Sequence, residues 1–466
     1  MGQQGYLVRG LLSLLLPACA TDPARLVSPT DHVAGELLLL DDNAGWCWFQ
    51  DPRSLVDGDT LLAGTVADDA GVDGAARKGD VQLAVLDLGN GEVQRVVLHA
   101  GLQDDDHDAP ALLRLPDGRY LAAYGKHGTD RLMRWRISST PGDATAWGPE
   151  RTADAGAAYT YQNLFLLPGD GGRIYNFHRG IGFNPNFLLS EDGGASFRYG
   201  GRLLQWTAAD HELYGAGRPY LRYASNGVDT VHFLATEDHP RNFDNSLYHG
   251  FVRGGRMYDS SGTEVVPLST TREAAAGPTA FTRVFAGDAD NVAWCVDLEL
   301  DAAGQPVALF SVQHGDGAVK ADDHAGGEAL QYGYARFDGV RWHTHFLAHA
   351  GRRLYAPEVD YSGLGAIDPD HPEVVYVSTD AHPASGEPLV SRADGRRHRE
   401  IWRGVTADGG ASWTWSAVTA DSSVDNLRPT VPARNGGRTA LLWLRGAYRT
   451  YRDYDTQLVG MLLDRR

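Results

Sequence analysis

No run of apolar residues in this chain is long enough to span a bilayer, and no long amphipathic helical pattern appears in its 466 positions. The first absence excludes a transmembrane helix, which needs about 20 apolar residues. The second leaves strands and turns to build the fold. Lysine is nearly missing: Lys78, Lys126 and Lys320 are three among 42 basic residues, a bias that reads as a GC-rich genome rather than as function. Cysteine is equally scarce, with only Cys19, Cys47 and Cys295. Positive charge is outweighed, 42 Lys and Arg against 60 Asp and Glu, for a net charge of −18. That balance excludes nucleic acid as the partner, because phosphate recognition needs a basic surface. It still permits a local basic cluster, and Arg179, Arg218, Arg428 and Arg445 can together bind a carboxylate or sulfate. A Gly-rich phosphate loop, a nucleophile elbow and a zinc-protease helix motif are also absent.

What the chain does have is glycine (56), aromatics (11 Trp, 20 Tyr, 14 Phe) and a repeated hairpin. Apolar runs flank a tight turn in Asp51–Val66 (turn Asp57-Gly58), Ala109–Tyr124 (Asp117-Gly118), Asn163–Phe177 and Pro219–Leu234 (Asn226-Gly227). Three more follow in Asp297–Phe310, Val359–Val377 and Pro429–Leu444 (Asn435-Gly436). Asp-Gly and Asn-Gly accept positive φ cheaply and mark hairpins. The seven starts are spaced by about 63 residues, longer than the ~40–50 of short propeller repeats but of the same kind. The spacing predicts an all-β, seven-bladed propeller of four-stranded blades round a central channel. Strand-like Glu36–Leu40 and Gln457–Leu463 are expected to share one blade and close the ring. The domain reading is a single propeller over 36–466, preceded by a linker at 20–35.

The first 19 residues predict export. Arg9, the apolar run Leu11–Leu16 and Pro17-Ala18-Cys19 form a lipoprotein-type signal, with Cys19 as the lipidated residue. The expectation is a monomer on the cell envelope, touching membrane only through that anchor, or a secreted protein if Cys19 is not lipidated. Cys47 and Cys295 are then left to pair, to stay as buried thiols or to bind metal.

Hairpin geometry locates the chemistry. A hairpin returns the chain to the sheet end it left, so residues before its first strand and after its second share one face. Those positions hold His107 with His127, Tyr161 with Arg179, Arg218 with His239, Cys295 with His314, Tyr361 with His382, and Arg428 with Arg445. Such a concentration of His, Tyr and Arg predicts an active site. His239, Cys295 and His314, with His249, offer ligands for a structural zinc, and Asp104–Asp108 offers oxygens for calcium, but no spacing is diagnostic.

Ser190–Phe197 and Thr406–Trp413 match the Asp-box turn of sialidase-type propellers, a structural motif. With Trp46–Arg53, Asp105–Pro110, Gly125–Gly128, Thr160–Asn163, His178–Gly180 and Arg218–Tyr220, the chain resembles the BNR-repeat propeller group that includes ulvan lyases and related enzymes of rhamnose–glucuronate linkages. The resemblance covers nearly the whole chain after the signal. It implies that His107, His127, Tyr161 and Arg179 line a cleavage site and that Tyr220 and His239 stand at the substrate or beside a metal; Arg218, Gln50 and Arg428 are further candidates for binding substrate.

The expected reaction is β-elimination from a rhamnose-linked uronic acid polymer. Arg179 would neutralise the carboxylate, His107 or Tyr161 would take the C5 proton, and Tyr161 would protonate O4, with His127 orienting the uronate or sharing the base role. That chemistry requires no cofactor. Two alternatives stay open. One is a glycoside hydrolase, either an α-L-rhamnosidase or a sialidase, the latter demoted because Asp51-Pro-Arg-Ser replaces the early Arg-Ile-Pro. The other is a carbohydrate-binding propeller without catalysis.

Overall fold

The computed structural model describes residues 30–206, 217–315, 327–356, 358–434 and 437–463. The signal ending at Cys19, the first part of the 20–35 linker and the Asn435-Gly436 turn lie outside these residues. Seven antiparallel sheets follow one another along the chain as seven propeller blades. Each inner hairpin overlaps one read from the sequence. Blade 1 opens with Ser54–Asp57 and Thr60–Val66, blade 2 with Ala111–Arg114 and Tyr120–Tyr124, blade 3 with Thr160–Leu167 and Arg173–Arg179. Blade 4 opens with Leu221–Ser225 and Thr230–Ala235, blade 5 with Asn291–Leu300 and Pro306–His314, blade 6 with Gly365–Asp368 and His371–Thr379, and blade 7 with Asp425–Thr430 and Thr439–Thr450. The turn chemistry explains the register: Gly58 has φ +60°, which lets Asp57 pair directly with Thr60.

The ring closes as expected. Leu38–Asp41 pairs with Asp453–Leu463, Leu39 opposite Val459, as the outer strand of blade 7. The linker is partly docked, because His32–Val33 pairs with Thr419–Ala420. Apolar side chains fill the wedges between neighbouring blades. Leu62, Leu83, Leu112 and Tyr120 pack between blades 1 and 2, and Tyr376, Ile401, Trp443 and Val459 between blades 6 and 7.

Three expectations need correction. Two blades exceed four strands: blade 2 has five and blade 4 has six, the extra ones being short edge pieces that turn chemistry alone does not announce. The fifth hairpin begins at Asn291 rather than Asp297, so Cys295 sits inside a strand beside a bulge rather than ahead of it. Arg428 and Arg445 likewise lie within strands. The axis, finally, is not simply an open channel. Trp46–Asp51 runs across it, its backbone tied to blade 2 (Cys47 N to Asp106 O, 3.0 Å) and blade 3 (Leu164 N to Asp51 O, 2.9 Å). Arg222 of blade 4 and Arg428 of blade 7 donate to the carbonyls of Trp48 and Trp46. This segment forms a floor.

Candidate active site

On that floor, Trp48 and Phe49 are buried against aromatic rings from several blades. Trp48 packs on Trp294 (4.6 Å between centroids) and Tyr361 (4.8 Å), and Phe49 on Tyr220 (4.7 Å) and Tyr161 (5.4 Å). Above it the hairpin ends of blades 2, 3 and 4 bring together His107, His127, Tyr161, Arg179, Tyr220 and His239.

His107 sits in a short turn, Asp106–Asp108, capped by the Asp105 side chain, which accepts from His107 N (3.1 Å). The same carboxylate meets Nδ1 of His107 at 2.7 Å and Nδ1 of His127 at 2.9 Å. The two rings stack at 3.8 Å with 12° between planes. Tyr161 stands 5.3 Å from the His107 ring, and Tyr451, from the second connection of blade 7, lies edge-on to both imidazoles. Arg179 places Nη2 3.1 Å from Nε2 of His127 and Nη1 3.4 Å from the Tyr220 hydroxyl, with its Cζ 4.7 Å from the Tyr161 ring centroid. Tyr161 holds φ +63° at an irregularity in the blade 3 pairing, a strained backbone that costs on the order of 1–3 kcal/mol. Strain of this kind is retained where the surroundings fix a side chain for use.

Charges in the site are unequal. Burial alone would neutralise Asp105, but charge and hydrogen bonds from His107 and His127 hold it ionised. Burial, then the neighbouring His107, pushes His127 down to about 4. Burial works against the His107 cation as well, yet the surrounding groups, Asp105 among them, outweigh it and raise its pKa well above the ordinary value. Burial lifts Tyr161 well above 10, so the phenol keeps its proton. His239 is held neutral by burial and by Arg241, Arg218 and Arg179.

The other predicted positions are distributed differently. His239 faces Tyr220 and Trp294 across the floor, 5.4 and 4.8 Å between centroids. Arg218 is half-buried beside Asp238. Gln50 is fully buried and donates to the carbonyls of His107 and Ala109, so it supports the turn from below rather than facing a ligand. Arg428 is also internal, paired with Asp106 at 2.7 Å under the Tyr448 ring. Arg445 is taken up by Asp31 and Asn426. Cys47 and Cys295 are separate buried thiols. His239, Cys295 and His314 do not gather as ligands: His314 is exposed and bonded to Asn291, while Cys295 donates to the Tyr220 carbonyl. Asp104 converges with Asp68 and Asp69, but the Lys78 ammonium already contacts Asp69 (2.5 Å) and Asp104 (3.1 Å).

Sequence reading missed Asp105 as the holder of both histidines, as well as Tyr451, Arg241 and Glu358. Arg241 and Glu358 form an ion pair of 2.6 Å on the His239 side of the floor. Glu358 stands ahead of the first strand of blade 6, so the hairpin rule contained the signal. A cavity of about 770 Å³ lies at the rim between blades 6 and 7, where Arg434 and Asp368 of its lining pair with each other at 2.9 Å.

A family model described as "BNR repeat-containing family member" matches residues 75–350. Among solved structures, the chain is similar to a PL25 ulvan lyase bound to -[GlcA(1-4)Rha3S]-, at 16% identity and a TM-score of 0.65, over 90% of this chain and 94% of that one. It is also similar to the polysaccharide lyase Uly1, at 10% identity and a TM-score of 0.56, over 93% of this chain and 100% of that one. At such identities the likeness establishes the fold. No curated protein matches the chain.

Proposed function

The chain belongs to the BNR repeat-containing family, and from that membership and the site's geometry we propose that it is a polysaccharide lyase cleaving a rhamnose-linked uronic acid polymer by β-elimination. One observation carries the reading: a histidine and a protonated buried tyrosine stand side by side next to an arginine, with no pair of free carboxylates beside them among the described residues. Hydrolysis of a glycosidic bond ordinarily needs two carboxyl groups flanking it. Here both oxygens of Asp105 are taken by imidazoles, and Glu358 is bound to Arg241. The solved relative with bound -[GlcA(1-4)Rha3S]- supports the substrate class.

In this mechanism Arg179 and the Tyr220 hydroxyl meet the uronate carboxylate, so that charge developing at C5 is stabilised. Neutral His107 takes the C5 proton at Nε2. The C4–O4 bond breaks, O4 receives the Tyr161 proton, and a C4–C5 double bond forms. The His107 imidazolium then returns a proton to the Tyr161 oxygenate, and both groups are restored. We extend the proposal to location: a lipid on Cys19 holds the protein to the cell envelope, and Cys19→Ala releases it from the membrane fraction. Unchanged fractionation of that variant counts against the anchor.

The test of the reaction is ultraviolet absorbance. Incubation with a rhamnose–glucuronate polymer should release chains ending in an unsaturated uronate, which absorbs, whereas a hydrolysis product does not. Tyr161→Phe and His107→Ala should each slow the reaction about 10²–10⁴-fold. Arg179→Ala should cost at least about 10²-fold. Free rhamnose or sialic acid without absorbance would make the protein a hydrolase, and binding without product would make it a lectin-like propeller.

A further inference from the structure

His107 and His127 share one carboxylate, yet they cannot be in the same state. Their rings lie 3.8 Å apart, too close in a buried site for two positive charges. On His127, Nδ1 meets Asp105 at 2.9 Å and Nε2 meets Arg179 Nη2 at 3.1 Å. A guanidinium only donates. Nε2 of His127 therefore carries a lone pair, its proton sits on Nδ1 towards Asp105, and the ring is neutral with both nitrogens engaged. His107 differs at both nitrogens. Its Nδ1 has a second carboxylate, Asp106, at 2.9 Å, and no hydrogen bond from the described residues reaches its Nε2.

We infer that Asp105 and His127 are positioning residues: Asp105 makes His107 the one titrating ring of the pair, and His127 aims the Arg179 guanidinium without exchanging a proton. The roles in turnover rest on the lyase reading, whereas the proton assignment does not. Every group facing His107 bears on its titration. Asp105, Asp106 and Asp108 belong to its own turn, Cys47 comes from the floor, His127 from the other end of the same hairpin, Tyr161 from blade 3, Tyr451 from blade 7 and Tyr355 from the connection between blades 5 and 6. Of the carboxyls, Asp106 is neutralised by Arg428 and Asp108 is pushed towards the protonated acid by burial. Asp105 is thus the ionised partner left to His107. The opposed directions of the two histidine pKa values agree with this arrangement.

The experiment is ¹⁵N NMR of the folded, histidine-labelled protein, with the two resonances assigned through His107→Gln and His127→Gln. His107 should titrate above the ordinary histidine range, while His127 stays neutral with its proton on Nδ1. In Asp105→Asn the His107 midpoint should fall by at least about one pH unit, since an opposite charge at this range is worth about 1–3, and Asp105→Glu should restore part of the shift. In the elimination assay the rate should rise with pH along the His107 midpoint, and Asp105→Asn should move that limb to lower pH. His127→Gln, whose amide can accept from Arg179 and donate to Asp105, should stay within about tenfold of the native rate, whereas His127→Leu should lose about 10²–10³-fold, the usual cost of misplacing a charge-stabilising group. A His127 ring that titrates at the higher pH, or a His107 midpoint unmoved in Asp105→Asn, overturns the inference. Missing unsaturated product beside the expected titrations would remove the lyase reading and leave the proton assignment standing.

Discussion

Four side chains of the site, His107, His127, Tyr161 and Arg179, are legible in the sequence because a hairpin's two ends must share a face, whatever packs around them. Asp105 was not legible as a holder, because it stands in Asp104-Asp-Asp-His-Asp108 among three other aspartates of identical chemistry. Folding separates the four. Asp105 is ionised between imidazoles, Asp106 is paired with Arg428, Asp108 is buried and raised, and Asp104 points away towards Asp68. Gln50 and Arg428 were misread for a related reason: position along a blade does not say whether a side chain stands above the floor or beneath it. Asp68 gives a prediction at this scale. Burial, and then charge from Asp104, raises its pKa to about 7. Between about 4, where the unfolded carboxyl ionises, and about 7 the folded protein holds a proton that the unfolded chain has released. Stability contributed by that proton is therefore present at low pH and lost as pH rises through about 7. Asp68→Asn keeps an oxygen for the Ala70 amide, 2.7 Å away, and replaces the charge with a donor. Its melting temperature should gain on the native protein at pH 8 and not at pH 5. An equal difference at both values would show that Asp68 does not titrate in this way.

The elements were read most securely where a turn residue has no cheap substitute. The two Asp-boxes join the third and fourth strands of blades 3 and 6, on the face away from the site. Asp192 accepts from Ser196 N (2.9 Å), Ser196 Oγ (2.5 Å) and Ser190 Oγ (2.8 Å), while Phe197 packs edge-on to Trp135 at 5.1 Å. Asp408 repeats the pattern with Ser412 and Thr406, and Trp413 packs on Tyr334. Asp192→Ala and Asp408→Ala should each lower the melting temperature only slightly, because both turns are exposed and water takes over the freed donors. Activity per folded molecule should be unaffected, and a fall in turnover beyond the folded fraction would tie these turns to the site. The outer strands of blade 4, Arg256–Asp259 and Glu264–Pro267, escaped sequence reading because each is only four residues long. Met257 is buried and Val265 and Val266 pack on the same core, but so short a run gives too few alternations for a strand to be recognised.

Ring closure was visible from the two strand-like ends, but the way it is locked was not, since the lock is electrostatic and joins blade 7 to a loop of blade 1. Asp41, at the end of the closing strand, is buried and meets Arg77 at 2.6 Å. Arg77 also binds Asp42, and Gln82 stands 3.0 Å away. The strand therefore contributes backbone pairing to Asp453–Leu463 and a counter-charge to a guanidinium that has little access to water. Two variants separate these contributions. Asp41→Asn keeps the strand and removes the charge; because Asp42 still pairs with Arg77, it should cost less than the about 3–5 kcal/mol of a buried charge left wholly uncompensated. Removing residues 1–41 also bares the edge of the Asp453–Leu463 strand, next to Leu458 and Val459, which are fully buried in the closed ring. An unpaired edge of that kind invites pairing with another chain. The truncated protein should therefore melt lower than Asp41→Asn and should sediment as aggregates, whereas Asp41→Asn stays dispersed. If the truncated chain melted together with Asp41→Asn and stayed dispersed, closure would reside in the ion pair alone, and the outer strand would be an ornament of blade 7 rather than its latch.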